Sequence, residues 1–250
     1  MISSNKIEQI HNSKEVQDFL GLTNFYNINH KKGIGVSLDE QENFMLKYYV
    51  EIKEKDNEFQ YTDFINDKEK IFYKLLPFVD FSRHSSLAIG LKVNTNGEIF
   101  KYIHFKFRDL VLKNKSYKFK FANFEKCRYG YSLEYNKTFT KKKRYFYFHD
   151  NNNKEYIKKI FGLTVDTKGV SHYETYQTKD NVKVNIVFDI FKNKQITKDF
   201  LAKNNFAKFE NNINAFNLFF KKSPLYFGFD KEGNISFYYN FNETLDNITI

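Results

Sequence analysis

Apolar and polar residues alternate with a period of two through most of the chain, and the alternating runs come in pairs. Five segments share one pattern: a short strand with a Gly or small residue at its middle, a polar turn, and a second strand rich in aromatics. They span 32–52, 86–108, 128–149, 170–191 and 224–242, and each reads as a β-hairpin. With Gly35, Gly90, Gly130, Tyr173 and Gly228 taken as equivalent, an apolar residue follows nine positions later each time, at Phe44, Ile99, Phe139, Val182 and Phe237. The turns Asn94-Thr95-Asn96-Gly97, Lys179-Asp180-Asn181 and Asp230-Lys231-Glu232-Gly233-Asn234 supply the Asn, Asp and Gly that tolerate positive φ.

Between most hairpins the period changes to that of a helix: Val16/Phe19/Leu20 behind a candidate cap at Ser13, Ile71/Phe72/Leu75/Leu76 stopped by Pro77, Tyr156/Ile157/Ile160/Phe161 closed by Gly162, and a longer stretch after Thr197 holding Phe200, Leu201, Phe206, Phe209, Ile213, Phe216 and Phe220. Between the second and third hairpins SYKFKFANF alternates like a strand, so one repeat has a weak or missing helix. Nothing in the composition divides the chain, and residues 1–250 read as a single domain.

Successive side chains of a strand point to opposite faces. In the first hairpin Ile34, Val36, Leu38, Phe44, Leu46, Tyr48, Val50 and Ile52 share one side, and Gly33, Gly35, Ser37, Asp39, Lys47, Tyr49 and Glu51 the other. The apolar side packs on the helices, so the polar side faces water or an enclosed lumen. Ten strands left as an open sheet would expose two edges, whereas closure removes them. The expected fold is therefore α+β: a ten-stranded antiparallel β-barrel made of five αββ repeats with helices on the outside.

Composition narrows the chemistry. Forty Lys and Arg against 30 Asp and Glu give a net charge of +10, which favours an acidic partner. A lone Cys127 permits no internal disulfide and no Cys-rich zinc module. The apolar runs are too short to span a bilayer, and MISSNKIEQIHNSKE has no apolar core behind a basic start, so a cytoplasmic protein without membrane insertion is the expectation. The six His show no His-x-x-x-His spacing, and neither Gly-x-x-x-x-Gly-Lys-[Ser/Thr] nor Gly-x-Gly-x-x-Gly occurs, so neither a bound metal site nor an organic cofactor is expected.

With helices outside, hairpins inside, and Lys-x-Tyr at Lys47-x-Tyr49 and Lys143-x-Tyr145, the chain resembles the ABBA prenyltransferases, whose PT barrel is built from successive αββα units; the cyanobactin-type members act on peptides. The resemblance implies transfer of an allylic group from dimethylallyl or geranyl diphosphate to an electron-rich aromatic acceptor, either a small indole or phenol or a Trp or Tyr side chain in a peptide. It also implies lumenal cations on the diphosphate, tyrosines around the allyl cation, and an acidic residue to take the acceptor's proton. Magnesium is compatible with this as a further neutralising charge.

Alternation supplies candidates for each role. Lys47, Lys92, Lys106, Arg108, Arg128, Lys143 and Lys183 fall on the expected inner face, where converging cations need an anion. Tyr49, Tyr102, Tyr145, Tyr147 and Tyr238 share it, and their rings can stabilise an allylic cation. Glu51, Asp39 and His104 are the candidate bases. The rival reading is a single-stranded nucleic-acid binder, suggested by Lys141-Lys142-Lys143-Arg144 and the basic tract from Lys113 to Lys120. Aromatics dispersed over every repeat, with no single exposed platform, weigh against it.

Overall fold

The computed structural model describes residues 2–23, 31–52, 84–113, 126–136, 138, 140–149, 158–159, 161–164, 170–177, 182–188 and 194–240. Two helices, α1 (Ser4–His11) and α2 (Lys14–Leu22), precede the first strands, β1 (Lys31–Leu38) and β2 (Phe44–Ile52). There follow β3 (His84–Asn94), β4 (Ile99–Lys113), β5 (Lys126–Tyr135), β6 (Thr140–His149), β7 (Val170–Gln177) and β8 (Val182–Phe188). Helices α3 (Lys194–Lys203) and α4 (Glu210–Phe220) flank a 3₁₀ turn at Ala207–Phe209, and β9 (Tyr226–Asp230) with β10 (Ile235–Asn240) ends the described chain. The fold is α+β, a curled antiparallel sheet with helices on one face.

Every strand pairs with its neighbours in sequence, and the order of pairing is β1-β10-β9-β8-β7-β6-β5-β4-β3-β2, with β1 hydrogen-bonded to both β2 and β10. Alternation alone predicts which residues stand side by side. Gly35 opposes Lys47, Lys47 opposes Lys92, Tyr49 opposes Gly90 and Gly90 opposes Tyr102, so the polar positions of one strand meet those of the next.

Three hairpins close with one turn. In each, the first residue's amide bonds the carbonyl four residues on, and the amide three residues on returns to the first carbonyl: Asp39 with Asn43 and Glu42, Asn94 with Glu98 and Gly97, Asp230 with Asn234 and Gly233. The side-chain oxygen of that first Asx accepts from the amides two and four residues on, at 2.8–3.0 Å throughout. The fourth position is left-handed, at Glu42 (φ 62°), Gly97 (φ 78°) and Gly233 (φ 83°). Such three-residue loops end in a left-handed residue because that conformation matches the twist of the strands it joins.

The core lies between the apolar sheet face and the helices. Ile7, Ile10, Val16, Phe19 and Leu20 from α1 and α2 join Ile34, Val36, Leu46 and Val50 in one buried cluster with Ile213 and Phe216 of α4. Phe216 meets Phe44 and Phe237 edge-on, with centroids 5.4 and 5.7 Å apart, and Phe206 packs on Phe229 at 4.6 Å.

Some helices differ from their sequence signals. α1 lies upstream of the expected first helix, its start marked by Ser3, whose hydroxyl accepts from the Lys6 amide. Ser13 holds the N-cap position of α2, yet its hydroxyl makes no capping bond. The expected long helix after Thr197 begins at Lys194 and is broken around Asn205, which is left-handed at φ 61°. Gly162 closes a helical turn as its position suggested, at φ 65° and bonded to the Lys158 carbonyl at 2.9 Å. The helix expected at 71–76 and the strand-like stretch 116–124 lie outside the described residues.

Candidate functional site

The face of the sheet turned away from the helices is polar and aromatic, and its side chains fall into layers set by strand register. Lys47 and Lys92 form one layer across β2 and β3. Tyr49, Gly90 and Tyr102 form the next, and Glu51, Ala88 and His104 the one after. Two residues of strand separate successive layers, about 7 Å, so Lys47 and Glu51 stand about 13 Å apart along β2.

Charge concentrates around these lysines, with Glu134, which opposes Tyr102, and Lys143, which opposes Ser132, joining them from neighbouring layers. Glu134 of β5 accepts from Lys92 and, at 2.7 Å, from Lys143 of β6, both through the same carboxylate oxygen. Burial alone would raise the Glu134 carboxyl, but the two ammonium groups and their hydrogen bonds bring its pKa down to about 2. Lys92 is lowered to about 7, first by loss of water and then by Lys143 and Lys47, against the opposing pull of Glu134. Lys47 is lowered to about 8 by burial, with further repulsion from Lys143 and Lys183. It has no ion pair among the described residues. Its Nζ lies instead 4.3 Å from the centroid of the Tyr102 ring and 5.2 Å from that of Tyr49. Among the described residues of this cluster three lysines face one carboxylate, an excess of positive charge toward the interior of the sheet's curl.

Glycines let the neighbouring rings lie flat. A Cβ on Gly90 would collide with the Tyr48 carbonyl and the Tyr102 ring, and one on Gly33 with the Tyr49 ring; one on Gly35 would come within 2.9 Å of Tyr238. Tyr226 stacks on Tyr238 at 4.5 Å, and its hydroxyl stands 3.4 Å from that of Tyr49. Burial raises the Tyr49, Tyr102 and Tyr145 hydroxyls above the ordinary range, so all three stay neutral at physiological pH. Tyr145 accepts from Ser132 at 3.2 Å and meets His104 edge-on at 4.9 Å. The Tyr102 hydroxyl is buried without a hydrogen-bond partner among the described residues.

The structure thus brings together Lys47, Lys92, Lys143, Tyr49, Tyr102 and Tyr145; Glu51 lies two layers from Lys47 on β2, while His104 opposes Ser132, the partner of Lys143, and touches Tyr145. Tyr238 stands over Gly35, which opposes Lys47 in register. Lys183 pairs with Asp230 at 3.4 Å and still repels Lys47. Asp39 is a correction: its carboxylate caps the first hairpin turn, at the sheet end opposite Glu51, and is held there by the Gln41 and Asn43 amides. Lys106 pairs with Gly130 and Arg128 with Tyr147, but the side chains of Lys106, Arg128 and Tyr147 lie outside the described set. Arg108, its side chain also outside that set, sits where the β4–β5 register shifts between Lys106 and Val111, which interrupts the alternation that directed it inward.

Glu134 and Tyr226 went unnoticed in the sequence although the same alternation carries them. Glu134 is in step with Gly130 and Ser132, and Tyr226 with Gly228. The run Lys141–Arg144, which suggested a nucleic-acid surface, is split between faces, since Lys141 is exposed while Lys143 turns in to Glu134. A cavity of about 660 Å³ opens at the turn end, one layer beyond the lysines, and Ser37, Asp39, Asn94, Lys183 and Glu232 contribute to its wall. Among the described residues no group of three or more His, Cys, Asp or Glu could hold a metal ion. No protein-family model matches the chain, and no curated protein matches it.

Proposed function

We propose that the chain is an aromatic prenyltransferase of the ABBA type, its ten strands forming a PT barrel of five αββ units around the polar face. It moves an allylic isoprenoid from dimethylallyl or geranyl diphosphate to an electron-rich aromatic acceptor, free or within a peptide. The observation that carries this reading is the order of side chains across β2, β3 and β4: Lys47 and Lys92 first, neutral Tyr49 and Tyr102 next, then Glu51 and His104.

Lys47, Lys92 and Lys143 bind the diphosphate and take up the charge that develops as the C–O bond breaks. The rings of Tyr49 and Tyr102, already facing the Lys47 ammonium, then face the allyl cation and keep water from it. The acceptor carbon or oxygen attacks that cation, and Glu51 or His104 removes the proton lost from the acceptor. The unpartnered Tyr102 hydroxyl and the mixed polar wall favour a polar, charged ligand over a wholly apolar one. Magnesium, if used, binds with the diphosphate and not to a protein carboxylate cluster.

Incubation with each diphosphate and a panel of indoles, phenols and Trp- or Tyr-containing peptides tests the reading by mass. A gain of one C5 or C10 unit on an aromatic acceptor, lost in Lys47→Ala, supports it. Hydrolysis of the donor without any acceptor product counts against it.

A further inference from the structure

Like charges brought together repel each other, and the inner face gathers three half-buried ammonium groups. Resting on the reading of this face as an anion site, we propose that Glu134 is a positioning residue: an internal counter-ion that holds Lys92 and Lys143 through one oxygen beside Lys47, which has no ion pair among the described residues, so that all three cations are presented to the ligand together. The geometry is specific. Glu134 lies on β5, Lys92 on β3 and Lys143 on β6, so one carboxylate ties strands on both sides of β4.

The carboxylate acts in two opposite ways. It subtracts one charge from the site, which weakens any anion when every lysine is protonated. It also favours the protonated form of Lys92 and Lys47, both of which burial drives toward neutrality near pH 7 and 8. Removing it therefore strengthens anion binding in acid and weakens it in mild alkali. The other described groups facing the cluster do not change this sign. Tyr49, Tyr102 and Tyr145 stay neutral across the range, Lys183 pairs with Asp230, and Tyr238 and His104 are common to all variants.

The test is calorimetric binding of inorganic pyrophosphate to the full chain at pH 5.5, 7 and 8.5, for the natural protein, Glu134→Gln, Glu134→Asp and Lys143→Gln. The ratio of variant to natural affinity at each pH cancels the ionisation of pyrophosphate itself. Glu134→Gln should bind roughly ten-fold tighter at pH 5.5 and weaker than the natural protein at pH 8.5. Glu134→Asp keeps the charge and should follow the natural profile. Lys143→Gln, which removes a like charge beside Lys92 and Lys47, should show a ratio that rises with pH, and it carries the test should Glu134→Gln not fold. Flat ratios in a protein that binds pyrophosphate would overturn the role of Glu134 alone, while no pyrophosphate binding by the natural protein would overturn the anion site and this role with it.

Discussion

Tyr48 and Tyr49 are consecutive residues of one type, yet they belong to different parts of the molecule. Tyr48 is fully buried under the helices, its hydroxyl 3.0 Å from His11 Nδ1. Tyr49 lies across Gly33 on the other face, near the Lys47 ammonium and the Tyr226 hydroxyl. A single step along a strand separates a core residue from a wall residue, because side-chain direction reverses with each residue. The helix-covered face is apolar and closely packed, and the Tyr48 hydroxyl within it meets His11. The inner face gathers like charges in a poorly hydrated place, an arrangement that lowers stability unless a ligand compensates it.

The two faces should answer mutation differently. Phe216→Ala, which empties the contact with Phe44 and Phe237, should cost about 3–5 kcal/mol in chemical denaturation and leave anion affinity per folded molecule unchanged. Gly90→Ala should cost about 1–3 kcal/mol, because the new methyl meets backbone as well as the Tyr102 ring, and it should weaken ligand binding too. Were it silent in both assays, the close approach of the ring would not matter.

Lys47→Met should separate the faces most clearly. Replacing an unpaired, poorly hydrated ammonium by an apolar chain of similar length should raise Tm by roughly 2–4 °C at pH 7 while lowering diphosphate affinity at least about ten-fold. A loss of both stability and affinity would make Lys47 an ordinary structural residue.

Acidity probes the same charges without mutation. Glu134 titrates near 2 in the fold against about 4.5 unfolded, so the stability it contributes is present above pH 4.5 and is lost as pH falls toward 2. Lys92 and Lys47, lowered to about 7 and 8 from 10.5, act in the same direction at higher pH: the unfolded chain binds more protons there, so stability should rise between pH 7 and 10. Thermal scans across that range check the sign, and Lys47→Met should flatten the rise. The smallest effect on stability is expected of Glu51→Gln, which should spare donor binding and slow turnover, with a normal rate removing Glu51 as the base.

Strand pairing and face were legible because a period of two needs only the order of residues. Gly35, Lys47 and Lys92 become neighbours through that rule and the turn lengths alone. The turns were legible at Asn94 and Asp230, where Gly follows three residues on, and less so at Asp39, where Glu42 takes the left-handed place. That is why Asp39 looked like a free acid. The joining of Lys92 to Glu134 across β4 depends on the curl and stagger of the sheet, which no local pattern encodes. α1 was overlooked because its apolar residues are few, with Ile7 and Ile10 the buried pair.

The central claim is that the inner face binds an allylic diphosphate through Lys47, Lys92 and Lys143. Thermal stabilisation of the purified protein by geranyl diphosphate, beside pyrophosphate and a short single-stranded oligonucleotide, tests it most directly. The account predicts stabilisation by geranyl diphosphate beyond that by pyrophosphate, and its loss in Lys47→Met. Stabilisation by the oligonucleotide alone, fading as salt rises, would contradict it and make the positive charge an external nucleic-acid surface.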